Sequence, residues 1–459
     1  MHQGDAPASS GRPAAGTGAG LGPLLLRSFN AALGLVVGAL VVMAALGALG
    51  LWLARANTLP GGSFASVLAA TLLMALGAPL TLDGSAGFLA QANAAVGALP
   101  LSLSLAGALV AGVAFLRPLR HRAVAHAGEL LTRVVMAALL WAVAVALLAL
   151  AARHSFVIST GNSITDQLGS ALSASPTVGF HVGVGRAIGF GLLWLLVVLV
   201  LAFAVSRAAP LPPRLLRFQD AVRPAGSSLL AVLLGYVVAA LVAGLVTAVV
   251  RGPARDVLAV VCLALPNVAW LAFGLGLGAS WHGHLNTAIG LPMPKVLSEA
   301  LRSAGSRSTT VDLSSLAQQD GRVWVLPVLA GAALLCCGTA MGARGARRVG
   351  DSGRPPLWRH AVGLGLAVAF AMLLIGLLTR VSAAYGLSLL GVGGSGGVSD
   401  ILGSLTGGGS GGNTALTADV VLLPDLLPSV LLGALWGAVA GAAGGWFGAR
   451  LRRGFPLRR

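Results

Sequence analysis

Long apolar runs separated by short polar stretches dominate the chain. The first spans Asn30 to Leu53. Others follow at 64–82, 96–116, 134–152, 186–206, 229–250, 257–280, 323–343, 360–379 and 426–449. Each is long enough, or nearly so, for a helix to cross about 30 Å of hydrocarbon. Lipid offers a backbone no hydrogen-bond partners, so the runs predict helices, which satisfy their own groups. Two runs carry a proline: Pro79 in 64–82, and Pro266 followed by Asn267 in 257–280. Proline removes a helical donor and breaks or kinks a helix. The expected fold is an all-α polytopic membrane protein of about ten helical segments.

Composition makes the membrane assignment firm. Of 459 residues, 56% are apolar, 65 are glycine and only 9% are charged. A soluble domain carries about 25% charged residues. A core and a wetted surface cannot both be built from this mixture, which excludes a soluble enzyme, a disordered chain and a coiled coil. Lys295 is the single lysine among 30 basic residues. Such a preference for Arg, with abundant Ala and Gly, points to high-GC codon usage and an actinobacterial source. Cys262, Cys336 and Cys337 all lie in apolar runs. Vicinal cysteines rarely pair, so no disulfide framework is expected.

The ten runs divide into two tandem sets of five. Ser66–Ala69 resembles Asp256–Ala259, and Leu99-Pro100 resembles Leu326-Pro327. The Arg-rich turn at 117–122 is echoed at 344–348. Thr165–Ser170, containing Asp166, matches Ser399–Ser404, containing Asp400. Gly191–Trp194 matches Gly433–Trp436. The matches keep their order while their spacing widens, as expected of a second copy that carries insertions.

Charge predicts orientation, because Lys and Arg collect in cytoplasmic loops. The segments 117–133, 207–223, 344–359 and 450–459, with the N-terminus, hold 20 of the 30 basic residues and four of the 13 acids. They cannot all be cytoplasmic if every run crosses. The conflict disappears if the proline-containing runs 64–82 and 257–280 enter and return on one side. That gives eight crossings, two re-entrant segments and both termini inside. Ten full crossings is the competing topology. It inverts the second set, as in many secondary transporters.

The boundaries expected are a disordered cytoplasmic tail at 1–28 and a first membrane repeat at 29–208. A basic cytoplasmic linker at 209–227, a second repeat at 228–449 and a basic cytoplasmic tail at 450–459 complete the chain. The protein is expected in the plasma membrane. Its Arg-rich loops face anionic lipid rather than nucleic acid, because no basic stretch is interleaved with aromatics.

Candidate chemistry is sparse. No charged residue lies near the centre of a crossing, where an ion-coupled pump would keep one. Trp281-His282-Gly283-His284 holds the only close histidine pair. It reads as an interfacial turn, since no Cys or carboxylate ligand is near in sequence. No catalytic residue, cofactor or metal site is expected. Pro79, Pro266 and Asn267 are the candidates for lining a cavity; packing is the alternative use of the Asn267 amide. Gly433, Gly437, Gly441 and Gly445 leave one helix face bare and predict close helix packing. They serve either within the monomer or along a homodimer seam. Gly34/Gly38 and Gly185/Gly189 make shorter versions.

With these features the chain resembles the streptophobe family of very hydrophobic actinobacterial membrane proteins. The resemblance rests on overall character and on Leu105-Ala106-Gly107-Ala108-Leu109 running into Phe115-Leu116-Arg117-Pro118-Leu119-Arg120. It implies an integral membrane protein and assigns no activity or functional residue. The function expected is non-enzymatic, through packing and membrane or protein partners. The alternative is a secondary transporter with its path at segments 64–82 and 257–280.

Overall fold

The computed structural model describes residues 21–58, 63–85, 90–117, 127–157, 177–205, 213–250, 254–287, 308–348, 357–389 and 416–451. Eleven helices are defined there. The first half holds α1 (Leu21–Leu53), α2 (Phe64–Ala75), α3 (Leu101–Leu116), α4 (Ala127–Ala151) and α5 (Val184–Val205). The second holds α6 (Pro213–Val250), α7 (Ala254–Gly276), the short α8 (Leu313–Gln319), α9 (Val325–Arg348), α10 (Leu357–Leu378) and α11 (Leu426–Leu451). Eight helical stretches are long and apolar enough to span a bilayer, which makes this an integral membrane protein. They are 28–53, 130–151, 184–204, 224–250, 254–276, 321–342, 358–378 and 426–447. α2 and α3 are shorter.

The spanning stretches are apolar on every face. On α4, Ala137, Trp141, Val145 and Ala149 are buried, while Leu131, Val135, Leu139, Val143 and Leu147 are exposed. The two stripes each repeat every four residues; one packs against protein and the other suits lipid. Two cores result. The first gathers Met43, Leu73, Leu103, Trp141 and Leu195. The second gathers Phe273, Trp281, Leu334, Val368 and Met372.

The connections add an antiparallel sheet to this all-α membrane domain. Its strands are β1 (Leu80–Ser85), β2 (Ala90–Gly97), β3 (His154–Val157), β4 (Thr177–His181), β5 (Trp281–Thr287), β6 (Ser308–Val311), β7 (Val381–Leu389) and β8 (Leu416–Pro424). They lie in the order β3-β4-β1-β2-β7-β8-β5-β6. The signal was present but short. Leu80-Thr81-Leu82-Asp83 alternates with the two-residue period of a strand.

The order α-α-β-β-α-α-β-β-α occurs twice, with α8 as an addition before α9. Helix neighbours recur too. α1 packs on α2, α3 and α4, and α6 packs on α7, α9 and α10. α2 packs on α3 and α4, and α7 packs on α9 and α10. α5 packs on α3 and α4, and α11 packs on α9 and α10.

Two expectations about prolines and linkers change. Pro79 lies beyond the last turn of α2, and α7 continues through Pro266. Both helices end instead at a glycine, Gly77 with φ +96° and Gly278 with φ +90°. The Ala78 N–H reaches back to the Leu73 carbonyl at 3.1 Å, and Ala279 to Gly274 at 3.0 Å. This left-handed stop needs glycine, because a Cβ would crowd the carbonyl. The segment expected as a basic linker contributes the first turns of α6, which runs unbroken from Pro213 with Pro224 inside it. The first helix begins at Leu21, inside the stretch read as a tail.

Candidate functional site

Two polar side chains, Asn267 and Ser102, meet where α7 crosses the start of α3. The backbone there lacks helical partners for two reasons. Pro266 has no N–H, and Leu99 and Leu101 flank Pro100, which caps the start of α3. Asn267 resolves the second deficit. Its Oδ1 accepts the Leu101 N–H at 3.1 Å, and its Nδ2 donates to the Leu99 carbonyl at 2.9 Å. Ser102 enters the turn of α7 just before Pro266. Its hydroxyl accepts the Leu265 N–H at 3.0 Å and donates to the Val261 carbonyl at 3.1 Å. Those two groups would bond each other in an undisturbed helix, so the hydroxyl is inserted into one turn of α7.

At the start of α7, about three turns away from this junction, Arg255 donates from Nε to the Leu53 carbonyl at 2.9 Å and from Nη2 to the Trp52 carbonyl at 2.7 Å. Its guanidinium also lies 5.0 Å from the Trp52 ring centre. A cation at the last carbonyls of α1 complements that helix end. Among the residues expected to line a cavity, Pro266 is buried and Asn267 and Pro79 are half-buried. The structure brings Pro266 and Asn267 to α3, and it places Pro79 in the connection from α2 to β1.

The glycine stripe of α11 faces two neighbours. A Cβ at Gly437 would stand 2.8 Å from the Leu364 carbonyl oxygen, and one at Gly441 would stand 2.5 Å from that of His360. Both neighbours are on α10. At Gly433 the near atom is the flexible Met372 side chain. Gly445 meets α9 at Gly342, beside Gly444. The stripe is therefore occupied within the chain by α10 and α9. Gly34, Gly185 and Gly189, which share the spacing, have nothing within 4 Å.

The first half fills its equivalent space with aromatics. Trp141 and Trp194 stack with centres 5.1 Å apart. The Trp141 indole donates to the Gly191 carbonyl at 3.0 Å, and the Trp194 indole to the Ser104 hydroxyl at 2.8 Å. Sequence reading missed Ser102, Ser104 and Arg255. Isolated serines in an apolar run carry no periodic signal.

On the sheet, two histidine–aspartate pairs join neighbouring strands. His181 Nδ1 on β4 lies 2.7 Å from Asp83 on β1. His282 Nε2 on β5 lies 2.7 Å from Asp425, just after β8. Asp425 also accepts the Ser280 hydroxyl at 2.7 Å and gives its N–H to the Ser280 carbonyl at 3.0 Å. His282 is thus engaged with Asp425; the His284 backbone pairs with Val421. Asp83 and His181, with Arg153, His154, Ser155, Gly179 and Phe180, border an open groove of about 540 Å³.

Among the described residues no three His, Cys, Asp or Glu side chains group to hold a metal. The cysteines are free thiols, Cys262 and Cys337 buried and Cys336 exposed. Asp166 and Asp400 lie outside the described residues. Compared with family models, with curated proteins and with solved structures, the chain matches none.

Proposed function

We propose that this integral membrane protein is a non-catalytic scaffold, made of two tandem copies of one unit. It holds a strand platform outside the plasma membrane and an Arg-rich face on anionic lipid inside. One observation carries the reading: α3, α4, α5, α9, α10 and α11 each adjoin the sheet at one end and an Arg-rich stretch of the sequence at the other. β2 leads into α3 and α4 leads into β3, whereas the other ends of α3 and α4 are the ones that the basic stretch 117–126 connects in sequence. α5, α9, α10 and α11 obey the same rule. By the charge rule the sheet is outside and both termini are inside.

The same logic sorts the proline-containing segments. α3 runs antiparallel to α1, with Val110 beside Gly38 and Leu103 beside Gly47. α1 therefore ends on the sheet side, where Arg255 binds its last carbonyls. α2 starts there and returns to the sheet through β1. α7 does the same through β5. The eight crossings are then α1, α3, α4, α5, α6, α9, α10 and α11. Length alone selects α7 in place of α3. A 16-residue α3 spans roughly 24 Å, short for a bilayer, and the strand leading into it supplies the remaining depth. Non-helical backbone at that depth is tolerated where protein encloses it.

Tandem duplication is supported by register as well as order. Taking Gly77 with Gly278 as equivalent positions makes Leu82 equivalent to Gly283. Their partners on the next strand are Phe180 and Leu422. These are 242 positions apart, the same spacing as Gly191 and Gly433. The likeness to the streptophobe family belongs to this proposal and adds no activity to it.

The permease alternative requires Asn267 to face a solute. Asn267 instead commits its amide to Leu99 and Leu101, which favours packing. A cysteine placed at Asn267 or Leu80 tests this. Protection from a membrane-impermeant thiol reagent under all conditions supports the scaffold; labelling that a solute blocks supports transport. Mass spectrometry of the protein in mixed-lipid nanodiscs tests the lipid face. Anionic phospholipid should be retained, and Arg117→Gln with Arg120→Gln and Arg122→Gln should lower its retention.

A further inference from the structure

We propose that the protein assembles head to tail in the membrane, with β6 of one copy pairing antiparallel with β3 of a second copy. The inference rests on reading the two halves as a duplication. Each half contributes its hairpins in the same order, β3-β4-β1-β2 and then β7-β8-β5-β6. One seam joins them, β2 to β7, over eight residue pairs. Under duplication β6 corresponds to β2, and β3 corresponds to β7. Among the described residues, the two terminal strands of the sheet are therefore the two sides of the seam that already exists at its centre.

The helices repeat the argument. The first half meets the second through α1 and α3 on α7 and through α5 on α6. α2, the counterpart of α7, packs on α1, α3 and α4 of its own half. The contact between halves uses two different surfaces, so it is heterologous. A two-fold relation would instead place α2 on α6. Heterologous contacts propagate to further copies, closing into a ring where the rotation permits. Both terminal strands belong to one sheet on one side of the membrane. A neighbour rotated about the membrane normal thus presents β6 to β3 at the same depth.

The strands suit pairing. Ser308-Thr309-Thr310-Val311 has no proline, lysine or other charge, and His154-Ser155-Phe156-Val157 has none besides the histidine. Proteins that keep an edge single usually blunt it with such residues. Register follows as well. Leu80 pairs with Val96 and Trp281 with Val311, which makes Val311 the counterpart of Val96. Arg153 and Arg380, each just beyond its helix, make Phe156 the counterpart of Ala383. Val96 pairs with Ala383. Val311 of one copy therefore faces Phe156 of the next, and Thr310 faces Val157.

Cross-strand Cα atoms about 4.5–5.5 Å apart lie within disulfide reach. The test uses full-length chains with Cys262, Cys336 and Cys337 replaced by Ala. Phe156→Cys and Val311→Cys chains are co-expressed and oxidised in the membrane. The expected result is a reducible heterodimer band that neither variant gives alone. Val96→Cys with Ala383→Cys in one chain is the control and should close within the monomer. No heterodimer where the control closes overturns the assembly and leaves the duplication standing. Closure of Phe156→Cys with Val311→Cys inside one chain also overturns it. A control that stays open overturns the β2–β7 seam, and with it the register on which the proposal rests. The unsubstituted protein should appear in native mass spectra as multiples of 45.7 kDa; monomer alone at every concentration overturns the proposal.

Discussion

The side-chain oxygen of Asn267 accepts the backbone N–H of Leu101 at 3.1 Å, while its amide donates to Leu99 two residues earlier. One side chain thus holds the start of α3 against the middle of α7. In a dry interior such groups cannot fall back on water.

Asn267→Leu should therefore destabilise the protein by about 1–3 kcal/mol, the cost of leaving two backbone groups unmet. Ser102→Ala should cost much less. Once the hydroxyl is gone, Leu265 N–H and Val261 C=O can bond each other directly and close the turn of α7. Unfolding in mixed micelles of graded denaturing detergent gives the comparison. Equal losses at the two positions would reject this account of the junction.

Glycines with the same spacing should respond very differently. Gly437→Ala and Gly441→Ala put a Cβ against α10 backbone that cannot retreat without separating the helices. A loss of about 1–3 kcal/mol is expected for each. Gly433→Ala should be milder, because Met372 can change rotamer. Gly34→Ala and Gly189→Ala should be neutral or stabilising by up to about 1 kcal/mol, since helix propensity alone operates. Thermal stability of the five variants in one detergent checks the ranking.

That contrast also shows what the sequence could reveal. Apolar runs announce membrane helices because the hydrophobic requirement applies to every residue of a span. Arg placement announces their ends. Whether a glycine faces backbone or lipid depends on rotation about the helix axis, and a helix apolar on all sides carries no mark of that rotation. Gly437 and Gly189 look alike for this reason. The strands were hidden differently. His154–Val157 and Ser308–Val311 are only four residues each and gain stability from the sheet rather than from their own pattern. Pro266 misled because α7 runs on through it, and the polar partner inserted one turn earlier, Ser102, lies far away in sequence.

Asp312 should show a measurable pH effect at the start of α8. Backbone and side-chain donors of Ser315 hold its carboxyl below the ordinary Asp value of 3.8, as a cap for α8. The folded value is the lower one, so the cap contributes fully above the unfolded value and is lost as pH falls through the folded value. Hydrogen exchange within Leu313–Gln319 should rise with acidification beyond the intrinsic rate change. Asp312→Ala should give the faster exchange already at neutral pH, at a cost of about 1 kcal/mol or less. Exchange that is insensitive to both changes would remove the capping role.

Side-specific labelling decides between eight crossings and ten. Asn57 follows α1 and Gly128 opens α4, and both are exposed. Three apolar segments precede Gly128, and one of them, α2, returns to the side it entered. A cysteine at Asn57 should react with an impermeant reagent in intact cells, and one at Gly128 only after permeabilisation. Ten crossings would put the two on one side, because α2 and α3 would then form a complete return. Arg322 extends the test to the second half. It lies on the outer side only if the chain from Gly128 to Arg322 crosses an odd number of times, through α4, α5 and α6, with α7 returning. Cysteines at Asn57 and Arg322 reacting alike, and Gly128 reacting oppositely, is the pattern that a re-entrant α2 and a re-entrant α7 together require. If Asn57 and Gly128 react alike, α2 crosses. If Gly128 and Arg322 react alike, α7 crosses.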